Sequence, residues 1–209
     1  LHGLFRVRAF TQDDAHVFCT PEQIENEIIN ILKFVQRTYE HFGFENIKFV
    51  LSTKPKKAMG DPKLWGKATQ ALKNALDQIN VTYDIDEGGG AFYGPKIDIH
   101  IKDSMGRSWQ LGTIQVDFFM PKNFDLFYIN NKGQKERPIM IHRAIYGSFE
   151  RFLGILLEHY KGKLPFWLSP VQIKVLTISD EQLPYAQKIT AKLKEHGLRV
   201  ELVESSDPL

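Results

Sequence analysis

The stretch Phe5-Arg6-Val7-Arg8-Ala9-Phe10-Thr11-Gln12-Asp13-Asp14-Ala15-His16-Val17-Phe18 has two unlike faces when it is read with a period of two. Period two is the repeat of side chains along a strand, so the pattern predicts a β-strand whose polar face extends over roughly 33 Å. That face carries charged, aromatic and amide groups: Arg6, Arg8, Phe10, Gln12, Asp14 and His16. The opposite face is mostly small or apolar and could lie against a core. The polar face either binds a ligand with phosphates, a base and a polar head, or is an ordinary solvent-facing strand surface.

The composition bounds the class of protein. With 209 residues and 43% hydrophobic content, the chain can bury one substantial core and part of another. Its formal net charge is only +2, so any contact with nucleic acid must come from local patches. The single cysteine, Cys19, excludes an internal disulfide and favours a reducing compartment. No apolar run approaches the ~18 residues of a membrane span, so no membrane contact is expected.

Periodicity and turn residues predict a sheet with helices in residues 20–119. Helices are predicted to start at Thr20 and at Asp61, and strands to cover residues 44–52, 81–85, 96–102 and 107–119. Gln110 and Gln115 lie five positions apart, so in a regular strand their side chains would face opposite ways. Gly112 is predicted to mark a bulge that brings both to one face. Short connections between these strands favour an antiparallel arrangement.

A helix is predicted over residues 141–160, because apolar side chains recur there almost all round. On it, Ala144, Gly147, Ser148 and Arg151 would share one face. A buried Arg151 needs a partner. Two partners are considered: a structural carboxylate, from Glu150 or Asp117, or the phosphate of a ligand.

The last part of the chain changes character. Residues 164–170 are a candidate linker, and a strand, a helix and a second strand are predicted over residues 171–178, 181–195 and 198–203. This pattern is the βαβ start of a second α/β unit. The sequence opens at Leu1 rather than at a methionine, and a piece of a longer protein is therefore expected.

Several segments together resemble the threonyl-tRNA synthetase family of class II aminoacyl-tRNA synthetases. The run from Arg6 to His16 resembles the second half of motif 2, and the run from Ile141 to Arg151 resembles motif 3. Residues 51–55, 90–96 and 110–118 match the family as well, in the family's order. The resemblance implies an α+β fold, with a class II synthetase-like antiparallel sheet flanked by helices. Residues 1–165 would be a partial catalytic domain, and residues 166–209 the linker and the N-terminal part of an α/β anticodon-binding domain.

The resemblance also implies roles for individual residues. Catalytic roles fall to Arg6, Lys96 and Arg151. ATP contacts fall to Arg6, Phe10, Gln110, Thr113, Ser148 and Arg151. Threonine contacts fall to Gln12, Asp14, Tyr93 and Gln115. His16 and His142 would be two of three Zn²⁺ ligands, the third being a cysteine upstream of this chain.

The implied function is that of a threonine–tRNA ligase, which activates threonine with ATP and Mg²⁺ and transfers it to threonine tRNA. A zinc site of this kind would reject valine, which lacks the hydroxyl, and admit serine. The full-length protein is expected to be a cytoplasmic homodimer, with an organellar location left open. The chain alone is expected to be inactive and to hold zinc poorly, because motif 1, the start of motif 2, the upstream cysteine and the editing region are missing. The alternative is a non-catalytic synthetase-like protein that binds tRNA or regulates.

Overall fold

The computed structural model describes residues 1–204 of the chain. Within these residues the backbone forms two compact units, of which the first is Leu1–His159 and the second begins at Tyr160.

The first unit is built on a six-stranded sheet. Its strands are β1 Ala15–Cys19, β2 Lys48–Ser52, β3 Tyr83–Asp86, β4 Lys96–Lys102, β5 Ser108–Asp117 and, after a small hairpin of β6 Tyr128–Ile129 with β7 Lys135–Glu136, β8 Ile139–Ala144. The spatial order in the large sheet is β1-β8-β5-β4-β2-β3. All neighbours run antiparallel except β2 and β3, which pair in parallel. The predicted α+β fold with a mainly antiparallel sheet is confirmed.

Helices cover one face of this sheet. They are α1 Ile24–His41, α2 Pro62–Gln78, α3 Phe119–Asn123 and α4 Phe149–His159. Helix α1 buries an apolar stripe at helical spacing, formed by Ile28, Leu32, Val35 and Tyr39. Helix α2 begins where the sequence predicts, because the Asp61 carboxylate accepts the backbone N–H of Lys63 at 2.8 Å. Buried side chains along β5 alternate with half-buried ones, so the opposite face of the sheet stays partly open.

The predicted bulge lies at Gly112. Asp98 pairs with Thr113 and His100 pairs with Gln110, so Ile99 alone on β4 faces two residues of β5. A Cβ at Gly112 would lie 2.9 Å from the carbonyl oxygen of Ala144, so the close approach of β8 also requires glycine. The extra residue shifts the alternation, and Gln110 comes onto the same face as the residues that follow the bulge.

The strand predicted for residues 6–16 is wrong over most of its length. Regular pairing begins only at Ala15. Before that point the segment makes isolated bridges, such as Gln12 with Ser148. Its backbone bonds instead to the start of α4: the N–H of Phe149 donates to the carbonyl oxygen of Thr11 at 2.9 Å. An extended loop therefore replaces the strand.

The helix predicted for residues 141–160 is wrong in its first half. The segment Ile139–Ala144 is strand β8, which pairs with β1 on one side and β5 on the other, so the sheet satisfies its backbone groups. Gly147 then adopts a φ of +68°, which ends the extended segment before α4 starts at Phe149. Ala144, Gly147, Ser148 and Arg151 consequently do not share a helical face.

The second unit contains β9 Ile173–Leu176, a 3₁₀ turn Asp180–Gln182, α5 Leu183–Glu195 and β10 Val200–Val203. Strands β9 and β10 pair in parallel, as the predicted βαβ pattern requires. The unit starts at Tyr160, whereas the sequence places the domain boundary after residue 165. Its assignment to an anticodon-binding domain stays a prediction.

Candidate functional site

A cleft of about 380 Å³ lies between the loop that precedes β1, strand β5 and the start of α4. Most of the residues predicted to bind ATP or threonine line it: Arg6, Phe10, Gln12, Gln110, Thr113, Gln115, Ser148 and Arg151. The segment before β1 and strand β5 lie far apart in sequence but thus form one cavity. A larger groove of about 850 Å³ in the second unit includes none of the predicted site residues.

Neutral groups hold the guanidinium of Arg151 in this cleft. Its Nε donates to the carbonyl oxygen of Phe5 at 2.9 Å, and its Nη1 donates to the carbonyl oxygen of Gln110 at 2.8 Å. The ring of Trp109 lies under it, with 5.3 Å from Cζ to the ring centroid. Within residues 1–204 no carboxylate forms an ion pair with Arg151. Its positive charge is oriented but not neutralised.

The two carboxylates considered as partners of Arg151 have other roles. Glu150 accepts the backbone N–H of Thr11 at 3.1 Å and the hydroxyl of Ser148 at 2.9 Å. Asp117 is fully buried and lies against His142, with 2.8 Å between Oδ2 and the ring Nε2. The structural-carboxylate interpretation of Arg151 is therefore wrong in this structure.

Electrostatics favour an anionic ligand in the cleft. The pKa of Arg151 is lowered, first because burial removes water from the guanidinium and second because Arg6 adds another positive charge. The attraction of a negative group bound near both cations would offset the cost of each effect. A phosphate offers the geometry that an arginine binds with two parallel hydrogen bonds.

Lys96 lies at the start of β4, and its ammonium group is bound by the carboxylate of Asp98. Asp98 is not among the residues singled out from the sequence, where it reads as one more charge on the outer face of the strand. Its position two residues after Lys96 is the available signal, because residues i and i+2 of a strand point the same way.

Gln115 connects the cleft to a second group of predicted site residues. Its side-chain oxygen accepts the hydroxyl of Tyr93, and it pairs in register with His142 on β8. The rings of Tyr93 and His142 lie 5.5 Å apart. A ligand could therefore extend from the cleft past Gln115 without leaving the same face of the sheet.

The two histidines converge although they lie far apart in sequence. His16 on β1 pairs directly with His142 on β8, and their ring centroids are 4.6 Å apart. Asp14 completes a cluster in which the possible ligand atoms of the three residues all lie within 4.8 Å of one another. Two imidazoles and a carboxylate, with Asp14 and His16 exposed, fit the nitrogen and oxygen preference of Zn²⁺ and leave one side of the cluster open. Because Nε2 of His142 is bonded to Asp117, Nδ1 is the ring nitrogen available to a metal.

Asp13 organises the turn that carries residues 145–147, a role the sequence does not indicate. It is predicted to lie on the mostly apolar face of a strand, yet its carboxylate accepts the backbone N–H groups of Ile145, Tyr146 and Gly147 at 2.8 to 3.1 Å. The carboxylate fixes the approach of β8 to α4, and with it the position of Ser148 at the cleft.

Comparison with known proteins places this geometry in a family. The model of the tRNA synthetase class II core domain (G, H, P, S and T) matches residues 1–160. The chain belongs to the class II tRNA synthetase core family. Its cleft and histidine cluster lie entirely within the matched residues.

Two curated relatives of this class II chain are threonine–tRNA ligases. The chain is 55% identical to a threonine–tRNA ligase of Clostridium tetani over 210 residues, which is 100% of this chain and 33% of that protein. It is 54% identical to the "Threonine--tRNA ligase, chloroplastic/mitochondrial 2" of Arabidopsis thaliana, over 97% of this chain and 31% of that protein. The chain thus spans about a third of the length of the curated relatives it matches.

A solved structure agrees with the class II fold. The RNA binding domain of threonyl-tRNA synthetase from Cryptosporidium parvum superposes with a TM-score of 0.93 at 47% identity, covering 99% of this chain and 52% of that one. Among the helices of residues 1–204, none has the length and apolar composition that a membrane span requires.

Proposed function

We propose that this chain carries most of the amino-acid activating site of a threonine–tRNA ligase. One observation carries the proposal: a cleft with an uncompensated Arg151 continues, through Gln115, to a cluster of two histidines and a carboxylate. A phosphate-binding end and a metal-binding end that Gln115 connects suit a ligand that joins a nucleotide to a small hydroxy amino acid. The names of the relatives support the same choice.

The nucleotide is proposed to occupy the cleft. Arg6 and Arg151 bind its phosphates, and Phe10, which is 58% exposed, offers a free ring face for the adenine. Gln110, Thr113 and Ser148 supply hydroxyl and amide groups along its length. Lys96 faces the α-phosphate from the neighbouring strand. Mg²⁺ would enter with ATP and offset part of the negative charge of its phosphates.

Threonine is proposed to lie between the cleft and the histidine cluster. Gln12, Tyr93 and Gln115 orient its polar groups, and the Asp14 carboxylate accepts an N–H of its neutral amino group. His16 and His142 would hold Zn²⁺, together with a cysteine outside this chain. The metal, when bound, supplies Lewis-acid positions for the amino and hydroxyl groups of the amino acid. Valine would leave one such position unsatisfied, and the site would reject it on that ground.

The reaction needs alignment more than acid–base chemistry. A carboxylate oxygen of threonine attacks the α-phosphorus of ATP, the bond to the bridging oxygen breaks, and pyrophosphate leaves with the electron pair. A hydroxyl at the 3′ end of the tRNA then attacks the carbonyl carbon of the adenylate, and AMP leaves. Arg6 and Arg151 offset the negative charge that gathers on the phosphate oxygens, and Lys96, whose ammonium group Asp98 holds through one of its three N–H groups, donates its other N–H groups to these oxygens.

The remaining partners follow from the same proposal. The complete protein is proposed to bind threonine tRNA, with the second unit as the start of an anticodon-binding domain, and to act as a homodimer. A cytoplasmic location is proposed, although one relative's name assigns it to chloroplasts and mitochondria. The non-catalytic alternative is not favoured, because the relatives that match the whole chain are named as ligases.

The test is ATP–pyrophosphate exchange by the complete protein with each amino acid supplied singly. Exchange should depend on threonine, proceed more weakly with serine and be absent with valine. Exchange that is equal for threonine and valine, or that no amino acid stimulates, would contradict the proposal. Arg37→Ala on the exposed side of α1 is a control variant that should exchange like the wild type.

A further inference from the structure

Asp98 is a carboxylate buried in the middle of β4, with 4% of its surface exposed. Burial of a charge is unfavourable unless hydrogen bonds and an opposite charge compensate it. A threonine or a valine at this buried strand position would need no opposite charge to compensate it. The presence of a charge here therefore calls for an account of what the carboxylate does.

Four side chains donate hydrogen bonds to the carboxylate of Asp98. Its Oδ2 accepts the hydroxyl of Ser52 at 2.8 Å and the ammonium group of Lys96. Its Oδ1 accepts the side-chain amide of Gln110 and, at 3.5 Å, the hydroxyl of Thr113. One carboxylate thus holds three side chains that we assign to the nucleotide, and Ser52, which we do not.

The bulge at Gly112 makes this arrangement possible. Thr113 pairs in register with Asp98, and in a regular strand Gln110 would point to the opposite face. The extra residue turns Gln110 toward the same carboxylate, while Lys96 reaches it from two positions earlier on the same strand. Asp98 does not itself line the cleft.

We propose that Asp98 is a positioning residue for the nucleotide, acting through Lys96, Gln110 and Thr113. The carboxylate fixes where the ammonium and amide groups stand before ATP arrives, so the nucleotide meets an arranged set of donors. This inference rests on the proposed function, since it takes these three side chains to contact ATP. Within residues 1–204, the hydrogen bonds of this network reach the residues assigned to threonine only at Gln115, whose side-chain amide donates to the hydroxyl of Thr113 at 3.3 Å.

The experiment is equilibrium binding of ATP and, separately, of threonine to the complete protein and its Asp98→Asn variant. The amide keeps the shape but removes the charge and places an N–H group against either Lys96 or Gln110, which are both donors. The dissociation constant for ATP should rise about tenfold or more, the lower end of what loss of an orienting partner costs elsewhere. The dissociation constant for threonine should change little. Asp98→Ser removes the carboxylate that Lys96, Gln110 and Thr113 share and adds no amide N–H group. It gives the same comparison if the asparagine variant fails to fold.

The matched control is Ser52→Ala. It removes one hydrogen bond from the same buried carboxylate but leaves Lys96 and Gln110 bound to it, so ATP binding should stay within about twofold of wild type. A merely structural role for Asp98 predicts instead that ATP and threonine affinities fall together, in step with the unfolding midpoint, in all variants. That result, or unchanged ATP binding in Asp98→Asn, would overturn the proposal.

The two proposals fail in different ways. If the variants lose ATP binding selectively but the wild type shows no threonine-dependent exchange, the positioning role stands and the proposed function falls. If exchange is normal and ATP binding does not depend on Asp98, the proposed function stands and the positioning role falls.

Discussion

Arg151 shows how a single side chain can be fixed in place and still keep its charge for a ligand. Two carbonyl oxygens and the Trp109 ring orient the guanidinium, and none of these groups carries a negative charge. A carboxylate partner would have neutralised it, and an incoming phosphate would then have had to displace that partner. Because all these partners of Arg151 are neutral, its charge favours the binding of an anionic ligand.

Replacing Arg151 with alanine in the complete protein should weaken ATP binding by about 2–4 kcal/mol, the range found when one charge-stabilising donor is lost. Threonine binding in the absence of ATP should be unaffected, because Arg151 lies at the other end of the cavity. Isothermal titration with each ligand measures both quantities. Equal losses for ATP and threonine would show that the arginine supports the fold rather than the nucleotide.

At the scale of elements, the connection from β8 to α4 decides whether the two ends of the site face each other. Gly147 occupies the tightest point of that connection, at a φ of +68°, and a Cβ there would lie 2.2 Å from the carbonyl oxygen of Leu111. The Asp13 carboxylate accepts the N–H of the same residue at 3.1 Å. Residue 147 therefore has no room for a side chain, because the Asp13 carboxylate and the backbone of β5 lie against it.

Gly147→Ala should therefore lower the free energy of unfolding by about 2–4 kcal/mol, as expected when backbone strain and a steric clash combine. Gly133→Ala is the matched control: its φ is +73°, but no atom lies within 4 Å of the added Cβ, so about 1 kcal/mol should be lost. Urea denaturation of the two variants gives the comparison. Equal midpoints would mean that the contact with Leu111 relaxes at no cost.

Elements with a strong local signal could be predicted from the sequence. The alternation of residues 96–102 gives β4 with its observed bounds, and Asp61 followed by Pro62 marks the start of α2. The bulge at Gly112 could also be predicted, because a glycine inside a strand separates two glutamines that would otherwise face opposite ways.

Other parts depend on tertiary partners that a local pattern does not reveal. The segment before Ala15 alternates like a strand, but its backbone bonds to the start of α4 instead of a neighbouring strand. Residues 139–144 have apolar spacing that also suits a helix, and only their two strand neighbours decide otherwise. The sequence indicates only one partner of Asp98, Lys96 on the same strand, because the others come from β2 and β5.

At the scale of the whole molecule, the site joins the two ends of the first unit to strands β4 and β5 from its middle. The bridge between Gln12 and Ser148 and the pair of His16 with His142 join the first residues of the chain to strand β8 and helix α4. The long separation explains why the family resemblance rests on scattered motifs in a fixed order. The chain spans about a third of the length of the relatives it matches, so the decisive test uses the complete protein.

The cleft and the histidine cluster are proposed to form one site that activates threonine. This proposal is tested most directly by calorimetric titration of threonine and valine into the complete protein, before and after a chelator removes bound metal. Threonine should bind to the metal-loaded protein, weaken by about tenfold or more after chelation and recover when Zn²⁺ is restored, while valine binds poorly throughout. Threonine affinity that is unchanged by removal of the metal, or valine that binds as tightly as threonine, would contradict the account.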